Sequence, residues 1–146
     1  MANPQEQSVD TLNSFLRGEI SAVETYRQAL EKITQQQLRT PLQECMQSHA
    51  QRVTLLTEQV RTLGGAPATS SGVWGTFAKA VEGGAKTFGD KAAIAALEEG
   101  EDHGRNDYRR DMDKLDTASR QVVQSRVVPE QERTHSTMSG LKKALA

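Results

Sequence analysis

The sequence predicts an all-α fold, a single-domain four-helix bundle. Three observations carry that prediction. Four stretches place apolar residues at alternating steps of three and four, the seam of helices packed side by side. Aromatic residues are only 4% of the 146, with 11 Gly and 4 Pro, a composition that suits helices better than a β-sandwich. The run Leu63-Gly64-Gly65-Ala66-Pro67 is a helix stop, and it divides the chain into two halves that each read as a helix pair.

The four helices, A to D, follow in order. Residues 1–7 read as a flexible tail, with Ser8 or Asp10 as the cap of helix A, which runs to about Gln36. Its inner stripe is Leu12, Leu16, Glu19, Val23, Tyr26, Leu30 and Ile33. Helix B takes Pro41 into its first turn and carries the stripe Leu42, Met46, His49, Val53, Leu56, Val60 and Leu63. Residues 64–90 form a long crossover, in which Trp74, Phe77, Val81 and Phe88 mark a short amphipathic helix that covers one end of the bundle. Helix C spans about Asp90 to Asp116, with Ile94, Leu97, Glu101, Gly104, Tyr108, Met112 and Leu115 inward. Helix D spans about Thr117 to Leu145. Pro129 removes one of its backbone hydrogen bonds and is expected to kink or divide it.

Glu19 points where leucines point. A buried, unpaired carboxylate costs several kcal/mol or more, so Glu19 must be protonated, paired or bound to a cation. Arg17, Arg52 and Arg105 are candidate partners. Glu101 holds the same place in helix C, because helices A and C repeat at an offset of 82 residues. Gly18-Glu19 aligns with Gly100-Glu101, Tyr26 with Tyr108, and Ile33 with Leu115. The second helices are also alike, with His49 in B and His135 in D. Glycine before each glutamate costs a helix about 1 kcal/mol, which close approach of a neighbouring helix would explain, although a glycine on the solvent side is equally allowed.

A duplicated helix pair with a long B–C crossover is the topology of a ferritin-like bundle. Bundles of that kind hold two metal ions with one Glu from each of two helices and a Glu-x-x-His from each of the other two, since i, i+3 side chains share a helix face. Helix D carries Glu132-Arg133-Thr134-His135, and helices A and C carry Glu19 and Glu101. Helix B carries His49, but Met46 stands three residues before it. The expected metal donors are therefore Glu19, His49, Glu101, Glu132 and His135, one carboxylate short of a full set. Oxygen and imidazole donors suit iron, with manganese or zinc as alternatives, at one or two ions per chain.

LNSFLRGEISAVETY resembles the first helix of bacterioferritins, with Glu19 at their first ligand position. From residue 8 to 145, the chain resembles a family of short bacterial ferritin-like bundles of unassigned function, often grouped with stress-response proteins. The helix A segment, the run Gly100-Glu101-Asp102 and the 63–67 turn carry that resemblance. It implies a four-helix bundle and a di-iron ligand set at the five residues above. Met46 departs from the helix B glutamate, and Gln47 stands where a haem methionine would fall, so no haem is implied.

Composition narrows the partners. A net charge of −1 with 25% charged residues gives no electrostatic case for nucleic acid. No stretch is long enough to span a bilayer. The N-terminal segment has no secretory leader pattern, and the lone Cys45 can form no internal disulfide, so a cytoplasmic setting is expected. Three classes of function remain. One is a metal-binding bundle with oxidase or peroxide chemistry; a second is a metal-free bundle serving as a stress or protein-interaction module; the third, a protective DNA-binding ferritin relative, has no basic tail or patch to support it. Whether the chain is an enzyme stays open, and a homo-oligomer is allowed.

Overall fold

The computed structural model describes residues 3–72 and 89–146, and the short crossover helix expected within 73–88 lies outside them. Helix α1 spans Pro4–Lys32 and α2 spans Gln36–Thr62. Helix α3 spans Asp90–Asp111 and is prolonged by a 3-10 turn, Met112–Lys114. The last helix comes in pieces: α4, Thr117–Val122; a π-helical turn, Val123–Val127; and α5, Val128–Ala144. The all-α four-helix bundle expected from the sequence is the fold observed.

Caps set the ends. Asn3 caps α1 with a capping box, accepting from the Glu6 N–H while Glu6 accepts from its own, so the helix begins inside the expected tail. Helix α2 begins five residues before Pro41, because a residue of α3 serves its start. The Asp90 carboxylate accepts from the backbone N–H groups of Thr34 and Gln35, at 3.0 and 2.9 Å. Helix α2 ends as expected, in a Schellman turn. Gly64 has φ +79°, its N–H bonds the Arg61 carbonyl, and the Gly65 N–H bonds that of Val60.

The two ends fix the topology. Thr34 at the end of α1 meets Asp90 at the start of α3, while Ser8 near the start of α1 accepts from the Asp116 N–H beyond the end of α3. Helices α1 and α3 are thus antiparallel, and Gly64 and Asp90 lie at opposite ends of the bundle. Residues 66–71 run along α1, with Ala66 and Ala68 bonded to Asn13 and Ser71 bonded to Glu24.

The core is split in two. One apolar cluster includes Tyr26, Leu30, Leu38, Leu42, Cys45, Ile94, Leu97 and Met138. The other includes Leu12, Leu16, Leu56, Val60, Tyr108, Leu115, Val123 and Val127. Between them α1, α2, α3 and α5 contribute polar side chains: Glu19, His49 and Arg52, Glu101, then Gln131 and Thr134, all buried.

The seam of α2 differs from the expected one. Cys45 and Arg52 are buried, whereas Met46 and Val53 are only partly so. The spacing Leu42, Cys45, His49, Arg52, Leu56 is equally helical. The guanidinium wins the interior over valine because two buried carboxylates wait there for a cation.

Candidate functional site

The polar layer centres on His49. Its Nδ1 lies 2.5 Å from Glu19 Oε1 and its Nε2 2.6 Å from Glu101 Oε1. Both carboxylates accept, so the ring donates from both nitrogens and is an imidazolium. Beside it lies Arg52, fully buried. Its Nη1 donates to Gln131 Oε1 at 2.7 Å and Glu19 Oε2 at 3.3 Å. Its Nη2 donates to Thr134 Oγ1 at 2.8 Å and Ser48 Oγ at 3.1 Å.

The tyrosines close the layer reciprocally. Tyr26 donates to Glu101 Oε1 at 2.7 Å, and Tyr108 donates to Glu19 Oε2 at 2.5 Å. The tyrosine of each half therefore serves the glutamate of the other half, the pattern of two antiparallel copies of one unit. Thr134 Oγ1 and Gln131 Nε2 donate to Glu101 Oε2, at 2.8 and 3.0 Å. Thr134 thus relays Arg52 to Glu101. Gln131 packs against Gly104, where an added Cβ would make only an ordinary contact, 3.4 Å from its Oε1.

Charges settle accordingly. Burial alone would raise the Glu19 carboxyl, but Arg52 and His49 outweigh it and hold it below its usual value. Glu101 behaves likewise: against burial, the charge and hydrogen bond of His49 bring it down to about 2. Burial would neutralise His49, yet Glu101 more than compensates and its pKa is raised. Tyr26 and Tyr108 are pushed well up, first by burial and then by the carboxylates they serve, so both remain neutral donors. Burial also lifts the Cys45 thiol to about 11, which leaves it inert. Two carboxylates, one guanidinium and one imidazolium sum to zero.

Of the five expected donors, the structure brings together Glu19, His49 and Glu101. The other two face elsewhere, a correction to the expected orientation of the last helix. Glu132 is half-exposed and meets Arg109 at 3.5 Å, and His135 pairs with Asp102 at 2.5 Å on the outer side of α3. The inward stripe runs back from Met138 through Thr134, Gln131 and Val127. Thr134 sits about 40° from Met138 around the helix and His135 about 60° the other way. The polar layer fills from the side Thr134 occupies.

Two narrow clefts reach the centre between α1 and α3. One, about 30 Å³, is lined in part by Gly18, Tyr26, His49, Gly100 and Glu101. The other, about 40 Å³, is lined in part by Gly18, Glu19, Gly100, Tyr108 and Gln131. Each has room for a water or two and none for an organic substrate. The glycines that precede the two glutamates line both clefts and are partly exposed.

The donor set does not fit a di-metal centre. Among the described residues only two carboxylates enter it, and every oxygen of both already accepts from a side chain. Both nitrogens of the one imidazole are engaged. A guanidinium stands among them, and two divalent ions would bring four positive charges to a layer already neutral. Among the described residues no three His, Cys, Asp or Glu side chains are arranged to hold an ion.

The fold is that of a ferritin-like bundle. The chain belongs to the family described as a domain of unknown function, DUF2383, whose profile matches residues 7–114. Among solved structures it is similar to a "ferritin like, diiron-carboxylate" protein from Bacillus anthracis str. Ames. The two share 17% identity and a TM-score of 0.68, over 99% of this chain and 96% of that one. At that identity the likeness establishes the fold. No curated protein matches the sequence.

Proposed function

We propose that this chain is a ferritin-like bundle that works without a resident metal, as a helical module that engages other proteins through its surface. One observation carries the reading. Arg52, with none of its surface exposed, stands in the polar layer and balances the carboxylates that a metal would need. The α1–α2 face supplies a surface for contact. There Ile20, Val23, Ala50 and Val53 line an open groove of about 260 Å³, edged by Glu24 and Arg27. No described helix is long and apolar enough to cross a membrane. The cytoplasmic setting and the stress context belong to the proposal; the lone, reduced Cys45 supports the first and the sequence resemblance the second.

A rival reading, iron bound through Glu19, His49, Glu101, Glu132 and His135, is favoured by the convergence of three of those five donors. Metal analysis after anaerobic Fe(II) loading and desalting separates the two. The metal-free reading expects far less than one ion per chain, unchanged by Glu101→Ala. Retention of about one or two ions, lost in that variant, establishes the rival.

A further inference from the structure

The outer side of α1 is more buried than its place in the bundle accounts for. Counted from the inward Glu19, Ser21, Thr25 and Gln28 lie about 160°, 120° and 180° around the helix, turned from the core. Ser21 and Thr25 are nonetheless only 2% and 3% exposed. Gln28 Oε1 is buried with no hydrogen-bond partner among the described residues. The repeat supplies the control. The 82-residue offset takes these positions to His103, Asp107 and Arg110 on α3, where His103 and Arg110 are exposed and Asp107 is partly so. Helices α1 and α3 face each other, so their mutual packing treats both alike, and the difference requires a further occupant on α1.

The chain itself supplies one. Residues 66–71 already run along α1 and end with Ser71 bonded to Glu24, itself 7% exposed. The chain is next described at Gly89, whose neighbour Asp90 bonds Thr34. Glu24 and Thr34 stand about 15 Å apart along the helix, and the residues between Ser71 and Gly89 could span over three times that. They include Val73, Trp74, Phe77, Val81 and Phe88, with the only tryptophan and two of the three phenylalanines of the chain. We propose that residues 73–88 seat these apolar side chains on the outer side of α1, over Ser21, Thr25 and Gln28. The occupant then lies along the side of the bundle, not at its end.

The α1 surface suits that occupant. Thr25 donates its hydroxyl to the Ser21 carbonyl of its own helix at 2.6 Å, so it needs no water when covered. Gln28 Oε1 offers an acceptor that a lysine or backbone N–H of the segment can meet. Apolar side chains laid here leave water, a gain that grows with the area covered. The outer side of α1 is thus filled from within the chain, which leaves the groove of Ile20, Val23, Ala50 and Val53 as the face for a partner. That last consequence rests on the function proposed above; the seating does not, and the experiment below tests the seating alone.

The test labels one added thiol with a maleimide under native conditions. Cys45 is a silent background, because it is 1% exposed and its thiol is lifted to about 11. Full-length Ser21→Cys and its counterpart His103→Cys are labelled alone and in combination with Trp74→Ser/Phe77→Ser, with helix content checked by circular dichroism. The thiol at position 21 should label at least about tenfold more slowly than that at 103, and replacing the two aromatics should bring the rates within about threefold. Equal rates in the otherwise native chain overturn the seating. So does a thiol at 21 that stays slow once the aromatics are gone. If the aromatic replacements prevent folding, the emission of Trp74 decides. A blue-shifted indole that moves to the red in folded Gln28→Lys supports the proposal; a solvated indole, or one that Gln28→Lys leaves unmoved, contradicts it.

Discussion

The two halves of the molecule share a skeleton and differ at its centre. Glu19 and Glu101, and Tyr26 and Tyr108, are equivalent positions 82 residues apart, and they bond across the halves reciprocally. The same offset takes His49 to Gln131, Arg52 to Thr134 and Leu56 to Met138, all buried. Both cations thus come from the first half, and the second half answers with an amide and a hydroxyl. Had both halves carried histidine and arginine, as many as four positive charges would face two carboxylates. Divergence between the copies is what makes the layer neutral, and a neutral layer can be buried without a metal.

Breaking a carboxylate should cost most. Glu101→Ala removes the acceptor of Tyr26, His49, Gln131 and Thr134, and urea denaturation should show a loss of about 3–5 kcal/mol, the range for stripping one partner from a buried ion pair. A loss below about 1 kcal/mol would mean the layer is not the keystone of the fold.

The tyrosines sharpen the comparison. Tyr26→Phe and Tyr108→Phe each remove one hydrogen bond to a buried carboxylate, about 1.5–3 kcal/mol apiece. Because the two bonds are equivalent across the halves, the two losses should agree within about 1 kcal/mol; strongly unequal losses would break the equivalence.

Stability should also depend on pH with a defined sign. Glu101 is depressed to about 2 from an ordinary 4.5, so its contribution is present above 4.5 and is lost as pH falls towards 2. His49 is raised from 6.5, so its contribution is complete below 6.5 and is lost as pH rises through its folded value. The urea midpoint should therefore peak between 4.5 and 6.5 and fall on both sides. In His49→Gln the alkaline fall should shrink while the acid fall remains.

The smallest effect belongs to the outward residues. Glu132→Ala breaks only an exposed pair with Arg109 and should change stability by no more than about 0.5 kcal/mol. A larger loss in the same denaturation experiment would mean that Glu132 turns inward.

Much of this is legible in the sequence. The seam periodicity places Glu19 and Glu101 in the core, the repeat pairs them with Tyr26 and Tyr108, and Arg52 stands among the three arginines able to partner a buried carboxylate. What misleads is chemistry read locally. Glu132 and His135 have the spacing of metal ligands, but spacing fixes only that two side chains share a face, not which face turns inward. The repeat holds the missing signal, because the offset that aligns the first helices carries His49 and Arg52 onto Gln131 and Thr134. Upstream of the π-turn the offset drops by one, matching Leu42 with Val123 and Leu38 with Ser119, again all buried. That extra residue lies just before Pro129, which has no N–H to give and crowds the preceding turn. No hydropathy pattern marks such an insertion.

The central claim is that the layer is neutral on its own side chains, with His49 as an imidazolium between two carboxylates. Nitrogen-15 NMR of the histidine rings in metal-free protein at neutral pH tests it most directly. The account predicts that both His49 nitrogens carry protons and show imidazolium shifts. A neutral His49, with one nitrogen unprotonated, would contradict it.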